Sequence, residues 1–574
     1  MGRLHLLRCS QKAREPGGVT ERGALTLGFP RNLGGSVVST RKPPDREHPV
    51  EANPWPDQVS ELSWLGAKQR ACTSGTEGEG DRAGGKDGSV QSTLIVPMKR
   101  GNPPGGSPRR ERGCREEAMR KRRPMESLEG KMKEPLNSGS VSTRLQRIAK
   151  MAREYRERAF RSLHHVIDLE WLHEAYRRTR KSGAVGIDGQ TAAAYETNLE
   201  TNLQSLLDRF KSGRYKAPPV RRVYIPKGDG KKTRPIGIPT FEDKVLQRAV
   251  AMVLEAIYEQ DFLDCSFGFR PNRSAHGLLY HLREGLMRMK GAWILDVDVQ
   301  GFFDNLDHAK LREILDHRVR DGVLRRMIHK WLKAGVMEER ELWYPDSGTP
   351  QGGVISPLLA NIYLHEVLDT WFESMVQPVL EGEAFLLRYA DDFILAFTSG
   401  KDARRVLQTL PKRFAKHGLT IHPTKTRLVR FLRPRYNSPG QGEDETGRPP
   451  ETFDFLGFTH YWGRSQKKNW VIKRKTARDR LNRALKRITA WCRQNRHRKV
   501  AAQHTDLCKK LHGHYRYYGI TSNSVALGTF LWKVERVWRK WLHRRSQHSR
   551  MPWSRFRALK RAYPLPQPYC ANYI

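Results

Sequence analysis

Hydrophobic residues recur with helical spacing from about residue 141 onward, and this period predicts a run of helices. The first apolar stripe consists of Leu145, Ile148, Ala149 and Ala152. Asp168 is a candidate N-cap for a second helix, whose apolar stripe is Leu169, Leu172 and Tyr176. A third helix is predicted over roughly residues 196–211 and ends near Gly213. The ordered part of the chain is therefore expected to begin with helices.

Residues 220–239 change to a strand pattern that a tight turn interrupts at residues 228–230. The arms of this predicted hairpin carry Lys227 and Arg234, which can meet across the turn. Arginine binds phosphate oxygens in a bidentate manner and lysine supplies a compact charge, so the pair suits a triphosphate. Basic residues that simply remain solvated on a hairpin are the alternative interpretation.

Two adjacent acids, Asp391 and Asp392, separate two apolar runs of strand length within residues 385–397. The pattern predicts a hairpin with Tyr389 and these acids at its turn. Carboxylates between buried strands are costly unless a cation compensates them, and divalent metal ions are the usual compensation. Arg388 is adjacent, so a salt bridge within an acidic surface turn is the alternative.

A second acidic strand is predicted over residues 293–299, where Asp296 and Asp298 lie two positions apart and share a face. Gly301 allows a sharp turn after this strand. Phe303 follows at a place where it can pack under a bound sugar. Two acidic strands of this kind can together supply the oxygen ligands of a two-metal centre for phosphoryl transfer.

A glycine-rich loop leads into an apolar helix pattern within residues 347–361. Gly352 and Gly353 leave backbone amides open to a nucleotide, and the side-chain amide of Gln351 can both donate and accept hydrogen bonds. This stretch therefore indicates a nucleotide contact. An ordinary loop before a buried helix is the alternative.

The net charge of the chain points to a polyanionic partner. The 574 residues include 104 Lys and Arg against 61 Asp and Glu, a net charge of +43. The seven cysteines include no C-x-x-C pair, which argues against a disulfide framework or a zinc ribbon. No apolar run approaches the ~20 residues that a membrane span requires, so no membrane partner is expected.

Charge and composition also divide the chain into segments. Residues 464–561 hold 29 Lys and Arg but only three acids, a net +26. A helical stripe in this segment gives it a core face, so we expect a folded basic domain; the stripe is Leu481, Leu485, Ile488 and Trp491. Residues 1–140 are rich in Gly and Pro without a sustained apolar period, which predicts a disordered extension. A natural start downstream of residue 1 is the alternative.

The order of basic hairpin, acidic strand, Pro-Gln-Gly loop and acidic hairpin resembles that of the reverse transcriptases. Four stretches make the chain similar to group II intron-encoded reverse transcriptase/maturases, namely Gly186–Gly189, Arg234–Thr240, Ser266–Arg273 and Gly348–Pro357. The resemblance covers roughly residues 141–562 and is to the lineage that lacks an HNH endonuclease domain. It implies an α+β fold with right-hand polymerase fingers and an antiparallel palm sheet, followed by an α-helical thumb/X domain.

The resemblance also implies how the chain is divided. The disordered extension (1–140) precedes a helical N-terminal extension of the fingers (141–215) and the reverse transcriptase fingers and palm (216–462). A basic helical thumb/maturase X domain (463–562) and a short tail (563–574) follow. Second-strand DNA cleavage by this chain is not expected.

Matched motif by motif, the resemblance implies roles for single residues. Asp298, Asp391 and Asp392 are the implied catalytic acids and ligands of two Mg2+ ions, with Asp296 as a strand neighbour. The residues implied to contact the dNTP are Lys227, Arg234, Phe303, Gln351 and Lys425. Those implied at the primer or template are Tyr389, Arg270 and Gly457, the last within Phe453–Phe458, a strand expected to grip the primer backbone. The expected RNA-binding residues are Arg483, Lys486, Arg487, Arg516, Tyr517, Arg544 and Arg545.

The implied function is that of an RNA-directed DNA polymerase that binds group II intron RNA, assists its splicing and reverse transcribes it during retrohoming. Its partners would be the intron RNA, an RNA template with a DNA primer, dNTPs and target DNA, and a homodimer is compatible with the family. The expected location is the bacterial cytoplasm, or an organelle in a eukaryotic host. Two alternatives stay open: an RNA-binding splicing cofactor with a vestigial polymerase site, and another bacterial reverse transcriptase of the defence or diversity-generating type.

Overall fold

The computed structural model describes residues 139–226, 233–338, 341–344, 348, 352–434, 451–548 and 550–570. The predicted disordered extension lies outside these residues, apart from its last two positions. The last four residues of the predicted tail lie outside them as well. The α+β fold class is confirmed, because helices flank mainly antiparallel sheets and a helical region follows them.

Four helices open the described chain: α1 (Val141–Glu154), α2 (Leu169–Arg178), α3 (Ala192–Glu196) and α4 (Leu199–Lys211). Side chains cap the first two, since Ser140 accepts a hydrogen bond from the Thr143 amide and Asp168 accepts one from the Trp171 amide. The predicted N-cap at Asp168 is thus confirmed. The helix predicted over 196–211 begins later, at Leu199, after the separate short α3.

The next part of the chain alternates strands and helices. In chain order it contains β1 (Val220–Pro226), β2 (Thr233–Ile238), α5 (Phe241–Tyr258), α6 (Ala275–Arg288), β3 (Gly291–Val297), β4 (Val299–Gln300), α7 (His308–Asp316), α8 (Gly322–Leu332), β5 (Val336–Glu338), β6 (Glu341–Trp343) and α9 (Ser356–Leu364). A π-helical stretch over residues 365–376 continues α9. After it come β7 (Ala384–Tyr389), β8 (Asp392–Phe397), α10 (Gly400–Lys416), β9 (Thr420–Ile421) and β10 (Arg427–Leu432).

The strands of the two predicted hairpins pair as expected. β1 pairs antiparallel with β2, and their sheet continues through β5 to β6. The predicted turn at 228–230 lies outside the described residues. β7 pairs antiparallel with β8, and β8 pairs with β3, so the second sheet has the order β10-β3-β8-β7.

Both faces of the second sheet are buried, and alternate side chains along β8 face different cores. Phe393, Leu395 and Phe397 join the core that α5, α9 and α10 share. Ile394 and Ala396 join a second core with α6. Asp392 and Ile394 are two positions apart on β8, so their side chains point to the same face of the sheet. This is the face that packs against α6.

The structure corrects the strand predicted at Phe453–Phe458. This stretch is a hairpin, in which β11 (Phe453–Phe455) pairs with β12 (Phe458–Arg464) across a turn at Leu456 and Gly457. Both turn residues have positive φ, +48° and +79°, which suits a two-residue hairpin turn. β13 (Trp470–Thr476) completes the sheet. The predicted boundary between residues 462 and 463 therefore falls inside β12.

The basic segment begins with the strand β13 and folds into helices from Arg478 onward, as predicted from its apolar stripe. They are α11 (Arg478–Gln494), α12 (Val500–Tyr518), α13 (Ser524–His543) and α14 (Trp553–Ala562). Ile488 is buried in their shared core, and Leu481, Leu485 and Trp491 pack against it. Trp538 is fully buried in the same core, where its indole N–H donates to the Gln503 side chain at 3.1 Å.

No helix within the described ranges is both long and apolar enough to cross a lipid bilayer.

Candidate active site

A two-residue turn between β7 and β8 displays the adjacent aspartates. Tyr389 pairs with Asp392, so only Ala390 and Asp391 lie between the strands. Ala390 has a φ of +58°, a conformation that costs a non-glycine residue about 1–2 kcal/mol. A Cβ atom at Gly268 would lie 2.4 Å from the Ala390 nitrogen. Glycine at position 268 therefore lets a neighbouring loop press directly against the turn.

Arg388 does not neutralise the two aspartates, so the salt bridge considered from the sequence is not formed. Its guanidinium pairs with Asp369 at 2.6 Å, and both side chains are fully buried. It also donates hydrogen bonds to Asn361 Oδ1 at 2.8 Å and to the Ala390 carbonyl at 3.1 Å. Arg388 therefore supports the turn from behind.

Asp298 stands next to this turn because β3 pairs antiparallel with β8. The paired residues include Val297 with Phe393, and continuing this register by one residue sets Asp298 opposite Asp392. Asp298 Oδ2 accepts a hydrogen bond from Lys425 Nζ at 2.6 Å. The predicted acids and Lys425 thus come from three separate parts of the chain and lie at one edge of the sheet.

The pKa values of Asp391 and Asp392 are both raised above the ordinary value of an aspartate. Burial raises the pKa of Asp392 to about 7, and repulsion from Asp391, Asp298 and Asp296 adds to this shift. Burial also raises the pKa of Asp391, against the opposing effects of its own backbone amide and of Arg234. Closely spaced carboxylates that repel one another in this way are the environment that a bound cation relieves.

The donor set fits a hard divalent cation. Asp298, Asp391 and Asp392 offer only carboxylate oxygens, the ligand type that Mg2+ prefers. Within the described ranges no three His, Cys, Asp or Glu side chains already form a ready metal-binding group. Asp296 is committed elsewhere, since Arg427 Nε donates to its Oδ2 at 3.0 Å. This contact agrees with the expectation that Asp296 is a strand neighbour of the site.

The structure describes only part of the predicted dNTP-contacting set. Arg234 is exposed on β2 and acts electrostatically on Asp391. Phe303 is half-buried in the turn that follows β4, packed edge-on against Phe302 at 5.2 Å between ring centres. Lys227 and Gln351 lie outside the described residues.

The three residues predicted at the primer or template lie in different surroundings. Tyr389 is half-buried beside Phe269, with 6.4 Å between ring centres. Gly457 sits in the β11–β12 turn, where a Cβ would lie 3.1 Å from the Tyr518 hydroxyl. Arg270 requires a correction: it is buried, and its guanidinium binds the Glu259 carboxylate and the carbonyls of Leu263 and Ser266. These contacts stabilise the loop to which Arg270 itself belongs.

The predicted RNA-binding residues differ in accessibility. Four of them are exposed, namely Lys486, Arg487, Arg516 and Arg544. Arg483 is half-buried and donates to Asp479 at 2.9 Å, and Arg545 donates to the carbonyl of Arg498 at 2.8 Å. Tyr517 requires a correction, because its ring stacks on Phe458 and its hydroxyl donates to the Leu456 carbonyl. It joins α12 to the β11–β12 turn.

Sequence reasoning missed a buried polar network behind the glycine-rich loop. Gln247 Oε1 accepts the Val354 amide at 2.8 Å, and Gln247 Nε2 donates to Asp243 Oδ2 at 2.9 Å. The other oxygen of Asp243 accepts from Trp331 Nε1 at 2.7 Å and from the Tyr215 hydroxyl at 3.0 Å. The one signal available was an Asp and a Gln four positions apart on the otherwise apolar α5.

Comparisons with known proteins agree with this arrangement. A family profile described as reverse transcriptase (RNA-dependent DNA polymerase) matches residues 225–460. The group II intron-encoded protein LtrA of Lactococcus lactis subsp. cremoris is 40% identical over 228 residues, which are 39% of this chain and 37% of that protein. The chain thus spans little more than a third of the length of this relative.

Two other relatives come from different organisms. Protein YkfC of Escherichia coli (strain K12) is 35% identical over 268 residues, which are 41% of this chain and 70% of that protein. Nuclear intron maturase 2, mitochondrial, of Arabidopsis thaliana is 30% identical over 231 residues, 32% of this chain and 31% of that protein. Among solved structures, a telomerase from Candida albicans matches with a TM-score of 0.35 and 14% identity, over 62% of this chain and 65% of that one.

Proposed function

Because this chain belongs to the reverse transcriptase family that includes the group II intron-encoded proteins, we propose that it is an RNA-directed DNA polymerase. It binds group II intron RNA, assists the splicing of that RNA and reverse transcribes it during retrohoming. The observation that carries the proposal is the placement of Asp298 beside Asp392 by the register of β3 and β8, with Asp391 in the adjoining turn. Three carboxylates at one sheet edge are what two-metal phosphoryl transfer requires.

Different residues of this chain have different roles in nucleotide addition. Asp298 and Asp391 are the principal ligands for two Mg2+ ions, and Asp392 completes the acidic set. When bound, the ions supply a lowered pKa at the primer 3′-hydroxyl and neutralise charge on the triphosphate. Arg234 and Lys227 bind the phosphates, and Gln351 lies beneath the incoming nucleotide.

Two further residues act at the edges of the nucleotide. Phe303 packs beneath the sugar and excludes a ribose 2′-hydroxyl, which makes the product DNA. Lys425, 2.6 Å from Asp298, carries the proton that the departing pyrophosphate takes up. Tyr389 and Gly457 lie along the primer.

The basic helical domain provides the RNA affinity. Residues 464–561 carry a net charge of +26, and Lys486, Arg487 and Arg544 are exposed on it. Contacts of this kind bind phosphates without reading sequence, so recognition of the intron rests on the shape of the RNA. The remaining partners are an RNA template with a DNA primer, dNTPs and target DNA, and a homodimer is compatible with these roles. We place the protein in the bacterial cytoplasm, or in an organelle of a eukaryotic host.

Primer extension on an RNA template with Mg2+ tests the proposal. The wild-type chain should extend the primer, and Asp391→Asn should reduce extension at least about 1,000-fold, since it removes a charged ligand of the reacting centre. Asp208→Asn, the same change at an exposed position of α4, should extend normally. Extension by Asp391→Asn at the wild-type rate would refute the site.

RNA binding, measured on the same proteins, separates the alternatives. The affinity for intron RNA should survive Asp391→Asn and should fall steeply as the salt concentration rises. A wild-type chain that binds the RNA and promotes its splicing, yet extends no primer, would identify the splicing cofactor with a vestigial polymerase site. A wild-type chain that extends primers but shows no preference for intron RNA would identify another class of reverse transcriptase.

A further inference from the structure

A cleft of about 780 Å3 lies between α11 and α13, and its lining includes none of the aspartates of the candidate active site. Leu485 and Ala490 of α11 and Trp541 of α13 give it an apolar lining. Lys486, Arg493 and Arg496 also line it, and none of its nine lining residues is acidic. A volume of this size lies in the range of ligand-binding pockets.

The indole of Trp541 is the most informative group in this cleft. Its Nε1 is buried and has no hydrogen-bond partner among the residues that the structure describes. Because this atom is closed to solvent, the N–H is not a contact for a ligand in the cleft. The indole face is a large flat surface on which an aromatic ring can stack.

We propose that this cleft binds an unpaired nucleotide of a nucleic-acid strand. The base stacks against Trp541 and the apolar wall, and its phosphates meet the cations of Lys486, Arg493 and Arg496. An apolar platform beside several cations matches a base joined to a phosphate better than it matches an acidic peptide, which offers charge without a flat ring. The inference rests on the proposed function, because the nucleic-acid strand in the cleft is intron RNA when the protein acts as a maturase.

Fluorescence anisotropy with labelled hairpins and the full chain tests the proposal. The probes are an RNA hairpin with a single bulged adenine in its stem, the same hairpin without the bulge, and the DNA versions of both. The wild-type chain should bind the bulged RNA about tenfold more tightly than the paired one, because stacking one base contributes about 1–3 kcal/mol. Preference for the bulged DNA as well would also support a nucleotide site, and would extend it to DNA strands.

Filling the cleft should abolish this preference. Ala490→Trp places a large side chain in the cleft from an exposed position of α11, and Ala501→Trp makes the same change on an exposed position of α12. The first variant should bind bulged and paired RNA equally, and the second should keep the tenfold preference. Trp541→Leu should also lose the preference, so a fold defect in one variant cannot account for the result.

Three results would overturn the proposal. One is a wild-type chain without preference for the bulge, and another is Ala490→Trp with the preference intact. The third concerns a poly-glutamate peptide: it binds the wild-type chain but not Ala490→Trp, and it does not displace the bulged RNA from the wild-type chain. This result would assign the cleft to an acidic protein segment. Primer extension by the wild-type chain is measured in parallel: its absence together with an intact bulge preference would count against the polymerase proposal alone.

Discussion

Arg388 and Asp369 form an ion pair in which both side chains are fully buried, with 2.6 Å between Arg388 Nη2 and Asp369 Oδ2. The same guanidinium donates to Ser266 Oγ at 2.8 Å and to the Ala390 carbonyl at 3.1 Å. One cation therefore joins the π-helical stretch after α9, the loop beside Gly268 and the turn that carries Asp391. This arrangement explains how an acidic turn is held in a strained conformation.

Removing one member of this pair should strongly destabilise the β10-β3-β8-β7 sheet. Asp369→Leu leaves the guanidinium of Arg388 buried and uncompensated, a defect that costs about 3–5 kcal/mol. Hydrogen exchange of the β7 and β8 amides should show a loss of protection of this size. The double variant Asp369→Leu/Arg388→Met buries no charge and should recover most of the protection. Equal protection in the single and double variants would show that the pair does not hold the sheet.

The contact between Lys425 and Asp298 should compete with metal binding. Lys425→Met removes the cation 2.6 Å from Asp298, so the carboxylate becomes more available to Mg2+. Because this pair is partly exposed, its energy is about 0.2–1 kcal/mol. The Mg2+ concentration for half-maximal primer extension should fall by up to about fivefold, while the maximal rate should also fall because the proposed proton donor is lost. An unchanged Mg2+ requirement would mean that Lys425 leaves Asp298 before the metal binds.

The sequence predicted the acidic hairpin well because its cues are local. Two apolar runs and a polar turn determine β7 and β8 whatever lies around them. The partner of Arg388 could not be predicted from the sequence, because Asp369 lies 19 positions away in a π-helical stretch. Only packing of that stretch against the sheet brings the two together, so Arg388 looked from the sequence like a neighbour of Asp391.

The corrected residues show the same limit. A sequence motif led to the prediction that Arg270 binds nucleic acid, and basic surroundings led to the same prediction for Tyr517. Both side chains instead make contacts within the protein. Charge and residue type do not reveal which way a side chain faces. At Leu456 a positive φ begins a hairpin turn that β-propensity alone does not predict, and Gly457 was the local cue.

Gln247 should position the glycine-rich loop for the incoming nucleotide. It holds the Val354 amide at 2.8 Å, three positions after Gln351. A Cβ at Gly352 would lie 2.6 Å from the Gly237 carbonyl, so the loop also packs against the strand that carries Arg234.

Gln247→Leu should therefore raise the KM for dNTP about tenfold and change kcat much less. The variant leaves the half-buried Val354 amide without its acceptor, which costs up to about 1–3 kcal/mol. Gln204→Leu makes the same change at an exposed position of α4 and should leave KM unchanged. If both variants have the wild-type KM, or if Gln247→Leu lowers kcat alone, Gln247 does not position the loop. The readout is steady-state primer extension over a range of dNTP concentrations.

Buried His460 should make the fold lose stability in mild acid. Its ring stacks on Phe453 at 4.7 Å, neither ring nitrogen has a partner in the described ranges, and burial beside Arg474 lowers its pKa to about 3. The stabilisation that depends on neutral His460 is complete above pH 6.5 and is lost progressively as the pH falls toward 3. At pH 5 the loss in the free energy of unfolding is about 2 kcal/mol. His460→Phe should remove this part of the pH dependence from the free energy of unfolding, measured in urea at pH 7 and pH 5. His497→Phe, at an exposed position, should retain it. Equal losses in wild type and His460→Phe would contradict the assignment.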